Sequence, residues 1–347
     1  QRRYVVGEYP ELVGGLDGVP VTARDVANRT VLDRDHDALT TRRAELDARE
    51  AQILAAMRQG RGSELYPGTP YAGRVLQAEL DVIRAERGEL DGKLKGIDRI
   101  TERLADADKP RAYLIGFSSA DDGRAIVSVG NPDAADNVLT YVPGTGADLS
   151  KIGGDIVRAD RIAEDAVLAD PGKQTASMVW LGYDAPDGIP NAGTDGYADD
   201  GGRELGRFQS GLRATHDDQP SHNVVMGHSY GSTVIGHGIT GARIDADAYV
   251  FVGSPGVGVN SVNELGGVQP AQVWATRAEH DMIKRIPDWD IVHGNDPTRA
   301  DFGARVFTSD PGDPDDEGAT HSKYWDRNNE ARRNLAYIVT GQAGRVS

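Results

Sequence analysis

No cysteine occurs among the 347 residues, which excludes disulfides, thiolate metal ligands and cysteine nucleophiles together. A chain without thiols tolerates reducing and oxidising surroundings alike, so the compartment stays open. Long apolar runs are missing as well. No stretch approaches the roughly 20 residues that a membrane-spanning helix needs, and no basic-plus-apolar leader opens the chain. It begins at Gln1, which is compatible with a leader or a whole domain upstream. Positive charge is in deficit, with 38 Lys and Arg against 54 Asp and Glu and a formal net charge of −16. Nucleic acid and anionic membrane would both repel such a chain. Histidine pairs at the helical spacing of a zinc site are absent too, and no cofactor or metal is expected. What remains is long enough for one large domain plus an appendage.

The appendage comes first. From Val21 to Asp108 the chain is highly charged and nearly free of aromatics. Leu32, Leu39, Leu46 and Ile53 recur every seven residues, as do Leu76, Ile83, Leu90, Ile97 and Leu104. A sustained seven-residue apolar repeat predicts helices packed along a narrow seam. Helix breakers crowd the stretch from Gln59 to Pro70. The reading is a hairpin of two long antiparallel helices, with residues 1–109 forming a lead-in and hairpin and 110–347 a second domain. Polar residues (His36, Arg43, Glu50, Arg87) interrupt the seam. Each helix must therefore lie on its partner, on the second domain or on another protein.

After Pro110 the pattern changes to short apolar runs separated by helical stretches, which signals a mainly parallel sheet. Ala112–Phe117 and Ala125–Val129 flank the hairpin turn Asp121-Asp122-Gly123. Six further runs follow: Val138–Val142, Ser177–Leu181, Val224–Met226, Ala248–Val252, Val273–Thr276 and Ala304–Phe307. Helices are expected over Ile152–Leu168, Asp200–Thr215 and Glu330–Val339. That makes eight strands, the first pair antiparallel.

The fifth run leads into Gly227-His228-Ser229-Tyr230-Gly231-Ser232. A strand, a turn too tight for anything but flanking glycine, and a helix of small residues together describe the nucleophile elbow of an α/β-hydrolase. Gly-x-Ser-x-Gly alone arises by accident roughly once in four or five chains of this composition, so its position after the fifth strand carries the argument. A serine needs a base, and the base needs a third group to hold its tautomer. In this fold the chain order is Ser, acid, His. Asp281, after the seventh run, is the favoured acid, with Glu279 in reserve; Asp288 and Asp290 read as ordinary surface acids. Asp281 also suits a helix cap, which is compatible with the catalytic role. His321, the only histidine beyond the last strand, is the favoured base over His293. His228 is expected to pack behind the nucleophile. The oxyanion donors should be Tyr230 N–H at the helix N-terminus and Thr145 N–H in Pro143-Gly144-Thr145-Gly146, where Gly144 lets the backbone come close.

Rival chemistries fit less well. No Gly-Lys-Ser/Thr follows the Gly144 loop, so a phosphate cradle lacks its key residues. Asp310–Gly318 is acidic, but a calcium loop counted from Asp313 ends on Tyr324 rather than a bidentate Glu. It reads as an acidic loop leading to His321. Asp184–Gly202 is polar and Gly/Asp-rich, and is expected to cover the site without the apolar face of a lipid-facing lid.

Gly227–Gly231, the Val142–Gly146 loop, Asp281-Met282-Ile283, Phe302-Gly303-Ala304 and His321-Ser322-Lys323-Tyr324 together resemble an actinobacterial α/β-hydrolase family of unassigned function. Leu16-Asp17-Gly18-Val19-Pro20 and Arg24–Arg29 resemble the lead-in of that family, so the resemblance runs from about residue 10 onward. It implies Ser229, Asp281 and His321 as the triad; Met282 departs from the proline expected there. Members often carry an upstream helical domain similar to exported proteins, which hints at export. The resemblance supplies no substrate. The expected activity is hydrolysis of a small or medium ester, a small molecule or lipid-like, through an acyl-enzyme. Two alternatives stand beside it: an inert scaffold that docks a protein partner through the hairpin, and an acyltransferase using the same triad.

Overall fold

The computed structural model describes residues 7–217, 219–286 and 292–347. Eight strands form one sheet: β1 (Ala112–Ser118), β2 (Arg124–Val129), β3 (Asn137–Val142), β4 (Thr175–Leu181), β5 (His222–His228), β6 (Ala248–Val252), β7 (Val273–Thr276) and β8 (Arg305–Val306). Their order is β1-β2-β4-β3-β5-β6-β7-β8. β2 runs antiparallel to both neighbours, and every pair from β4 to β8 is parallel. This is the α/β-hydrolase fold. The central strands β3 and β5 are buried along nearly their whole length because both faces of the sheet are covered. β8 is two residues shorter than its apolar run, and both of its residues are exposed.

Two long helices precede the sheet, α1 (Val21–Arg58) and α2 (Ala72–Ala105); α3 (Ile152–Ala169), α4 (Gly196–Thr215), α5 (Tyr230–Ala242) and α6 (Glu330–Val339) follow. Leu205 and Phe208 of α4 and Val234 and Ile235 of α5 share one core with Ile115, Val225 and Phe251 of the sheet. On the other face, Ile152 and Ile156 of α3 and Leu335 of α6 meet Leu139, Val224 and Val250. α4 starts four residues before the expected Asp200. Its glycines admit α5: a Cβ on Gly202 would stand 2.6 Å from Gly238 N.

α1 and α2 run antiparallel, since Arg49 pairs with Glu79, Arg43 with Asp91 and His36 with Asp98. The polar seam positions are thus satisfied across the seam, Glu50 by Arg84 and Arg87. Far from the sheet, Leu46, Ile53, Leu76, Leu80, Ile83 and Leu90 form a core of their own. Near it, Leu32, Ile97 and Ile100 join the core beneath the sheet. α1 also closes the sheet edge. Leu114 N–H donates to Asp25 Oδ1 at 2.8 Å, while Asn28 and Arg29 donate to the carbonyls of Leu114 and Ala112. An edge strand otherwise presents open backbone groups to other chains.

Candidate active site

β5 ends at His228 and α5 begins at Tyr230, which leaves Ser229 alone on the turn at φ 54°, ψ −130°. A non-glycine residue in such a region costs on the order of 1–3 kcal/mol and persists only where its surroundings fix it. Here Ser229 N–H donates to Val252 O at 3.0 Å, and Ser229 O accepts from Ser232 N–H at 2.9 Å. The flanking glycines leave no room for a side chain. A Cβ on Gly227 would lie 2.4 Å from Ser232 N, and one on Gly231 would lie 2.2 Å from Val142 O.

Asp281 follows β7 and is 1% exposed. Its Oδ1 accepts from Ile283 N–H at 2.9 Å, capping the short turn Met282–Arg285, and lies 2.7 Å from His321 Nδ1. Its Oδ2 accepts from the Tyr324 hydroxyl at 2.5 Å. That hydroxyl in turn accepts from Ala278 N–H at 2.9 Å. Burial, and then the neighbouring Asp281 charge, push the Tyr324 phenol well above its ordinary value, so it stays a donor. His321 follows the short helix Glu317–Thr320, which is capped by Asp316. With Nδ1–H held by a carboxylate, the imidazole presents Nε2 as a base. The Asp310–Gly318 loop shapes this approach: Thr320 Oγ1 accepts from Asp313 N–H. Among the described residues, no three His, Asp or Glu side chains converge to hold a metal ion.

The other candidates fall elsewhere. Glu279 is exposed. His293 is buried with Nε2 2.8 Å from Ala192 O, its ring edge-on to Tyr230. Asp288 and Asp290 lie outside the described residues. His228 packs its ring on His321, centroids 4.7 Å apart, and its Nε2–H donates to the His321 carbonyl at 2.6 Å.

Ser229, His321, Gly144 and Thr145 line one cavity of about 410 Å³. A Cβ on Gly144 would lie 2.8 Å from Ser229 Cβ and 3.0 Å from Tyr230 N, so this loop passes directly beside the elbow. The loop is braced from three directions. Tyr183 donates to Pro143 O, Lys151 donates to Gly146 O, and Gly146 N–H donates to Pro186 O. Among the described residues no acceptor takes the Thr145 N–H. Tyr230 N–H belongs to the first turn of α5, where amides have no intrahelical acceptor and the helix dipole favours negative charge. The Tyr230 side chain points away, its hydroxyl donating to Thr194 O.

Among the described residues no part of Asp184–Gly202 lines this cavity. Among the described residues the cavity is lined instead by Met282, Ile283 and Ile286 on its apolar side and by Lys151, Asp155 and Arg158 on its charged side. α4 takes up the end of that polar stretch, and Pro186 only braces the Gly144 loop. The charged wall carried no local signal, because Arg158 is recognisable only from what the fold sets around it.

Residues 118–291 match the profile of a family described as alpha/beta hydrolase, and the chain belongs to that family. It is similar to the uncharacterized protein Rv2079 of Mycobacterium tuberculosis (strain H37Rv), 29% identical over 98% of this chain and 53% of that protein. It is also similar to the uncharacterized protein Mb0988c of Mycobacterium bovis, 33% identical over 54% of this chain and 77% of that protein. The chain thus spans about half the length of Rv2079. Among solved structures, esterase LipW from Mycobacterium marinum aligns over 74% of this chain and 88% of its own, at 12% identity and a TM-score of 0.42.

Proposed function

We propose that the chain is a serine hydrolase that cleaves a carboxylic ester through an acyl-enzyme. The observation that carries this reading is the single cavity shared by Ser229 and a His321 whose Nδ1 sits 2.7 Å from the Asp281 carboxylate. Ser229 Oγ attacks the ester carbonyl while His321 Nε2 takes its proton, and Asp281 stabilises the imidazolium. Tyr230 N–H and Thr145 N–H receive the oxyanion. The intermediate collapses as the carbon–oxygen bond to the alcohol breaks, and His321 returns the proton to the leaving oxygen. Water then repeats the sequence: His321 takes its proton, the acyl–Ser229 bond breaks, and the proton goes back to Ser229 Oγ. The sum is ester plus water giving acid plus alcohol. Residues 110–347 form the catalytic domain, and 1–109 the lead-in and hairpin.

Labelling with a fluorophosphonate probe tests the reading. The parent is expected to form a covalent adduct on Ser229, and Ser229→Ala to form none and to lose p-nitrophenyl ester turnover. An unlabelled parent, or turnover that survives in Ser229→Ala, sinks it.

A further inference from the structure

The cavity that holds Ser229 has a second chemical feature. Arg158 of α3 lines it with a side chain that is 21% exposed. Its guanidinium lies 4.5 Å from the Trp325 ring centroid. Nη1 donates to the Tyr141 hydroxyl at 2.7 Å and to Asp155 Oδ1 at 3.1 Å. Aromatic stacking and these two bonds hold the group in one orientation. A guanidinium carries five N–H donors. Among the described residues no protein acceptor takes the Nε–H or the Nη2–H groups. They are not sealed in the core either, unlike the buried Nη1 of Arg103, which has no partner. Lys151 also lines the cavity, with its ammonium paired to Asp148 at 2.8 Å, so Arg158 is the cation there with donors to spare. Among the described residues Asp155 is the one carboxylate in the lining, and it is engaged by Tyr141 and by Nη1.

From this we infer that the free edge of Arg158 is an anion subsite, and that the ester cleaved at Ser229 carries a carboxylate or phosphate group that docks on it. The inference rests on the hydrolase reading and names its substrate class. A planar fork of parallel N–H groups matches a carboxylate or phosphate in bidentate fashion, and such charge-assisted bonds are about twice as strong as neutral ones. The Met282, Ile283 and Ile286 side chains give the same cavity an apolar wall for the intervening carbon chain. A purely supporting Arg158, one that only clamps Tyr141 and Trp325, would show no preference for charge in the substrate.

The test compares two esters of equal acyl length on the full chain: p-nitrophenyl valerate, which is neutral, and mono-p-nitrophenyl glutarate, which ends in a carboxylate. In the parent, kcat/KM is expected to favour the glutarate about tenfold or more. In Arg158→Gln the ratio should collapse toward one, and Arg158→Lys should restore part of it. A parent without preference for the glutarate overturns the subsite, a result that needs no variant to fold. A parallel fall of both esters in Arg158→Gln also overturns it, since that is what a supporting role predicts. Absence of Ser229-dependent turnover for both esters, with no fluorophosphonate adduct, defeats the hydrolase reading itself. A labelled parent that ignores the carboxylate defeats only the subsite.

Discussion

His228 Nε2 lies 2.6 Å from the backbone carbonyl oxygen of His321. The residue before the elbow serine therefore grips the loop that brings in the proposed base, 93 positions along the chain. The bond needs a proton on Nε2, and the neutral ring supplies it. Burial first, then the fields of His321 and Arg158, hold the His228 imidazole well below its ordinary value. Its folded form stays neutral where the unfolded chain takes up a proton, near pH 6.5. A depressed histidine contributes stability that is fully present above that value and is lost as pH falls from there toward the folded value. The slope reaches about 1.4 kcal/mol per pH unit for one proton. Urea denaturation between pH 7.5 and 5.5 should show the parent losing stability faster than His228→Gln, whose amide keeps a donor. His293, also lowered by burial, leaves a residual slope in both. Parallel slopes would remove His228 from this account.

Tyr324 supports the acid from the other side. Tyr324→Phe removes the donor to Asp281 Oδ2 and the acceptor of Ala278 N–H. Two buried groups lose their partners, and each such loss costs about 1–3 kcal/mol. Because the hydroxyl touches Asp281 and no substrate, kcat for a p-nitrophenyl ester should fall by roughly tenfold with KM little changed. The acidic limb of the kcat/KM profile should also move, since the carboxylate partner of His321 is altered. A variant that loses stability but keeps both kcat and the pH profile would leave Tyr324 a packing residue only.

The strands and the elbow were legible because their signals are local. Val224–Met226 is a continuous apolar run, and the glycines beside Ser229 mark a turn by position alone. Asp281 and His321 followed from chain order in the fold. The supporting contacts were not legible. Tyr324 to Asp281, His228 to His321 and Arg158 to Trp325 join residues 43, 93 and 167 apart, and no spacing rule reaches that far. Asp25, Asn28 and Arg29 stood out only through the resemblance of Arg24–Arg29 to a family lead-in, with nothing to say that they satisfy the backbone of β1. The Gly/Asp-rich segment hid only the first turn of α4, from Gly196, because glycine weakens an isolated helix by about 1 kcal/mol. Within the expected helix, Gly202 and Gly206 let α4 approach α5.

Gly144 tests the proposed oxyanion site while leaving the Ser229, Asp281 and His321 side chains in place. In Gly144→Ala the new methyl would meet His228 O at 2.7 Å and Ser229 Cβ at 2.8 Å, so the loop must retreat from the elbow. Retreat carries Thr145 N–H with it. Loss of one oxyanion donor typically lowers kcat by about 10²–10³, and that is the fall expected here. Fluorophosphonate labelling should slow in parallel, while far-UV circular dichroism stays that of the parent. Full activity in a folded Gly144→Ala would rule this loop out as the donor.

The hairpin is tied to the sheet domain by a buried ion pair, which separates an integrated element from a loosely attached arm. Arg103 of α2 and Asp160 of α3 are 5% and 6% exposed. Arg103 Nε and Nη2 face both carboxylate oxygens at 2.9–3.1 Å, and Nη2 also donates to Pro110 O. Asp160→Ala leaves a guanidinium buried without its counter-charge, a change that costs about 3–5 kcal/mol. Glu86→Ala breaks a pair between the same hairpin helices, but Arg42 and Glu86 are 49% and 35% exposed. Such surface pairs contribute about 0–1 kcal/mol. In urea denaturation the first variant should therefore lose several times the stability lost by the second, within a single cooperative transition. A separate early transition in Asp160→Ala, with the sheet domain unaffected, would instead make the hairpin an independently folding arm.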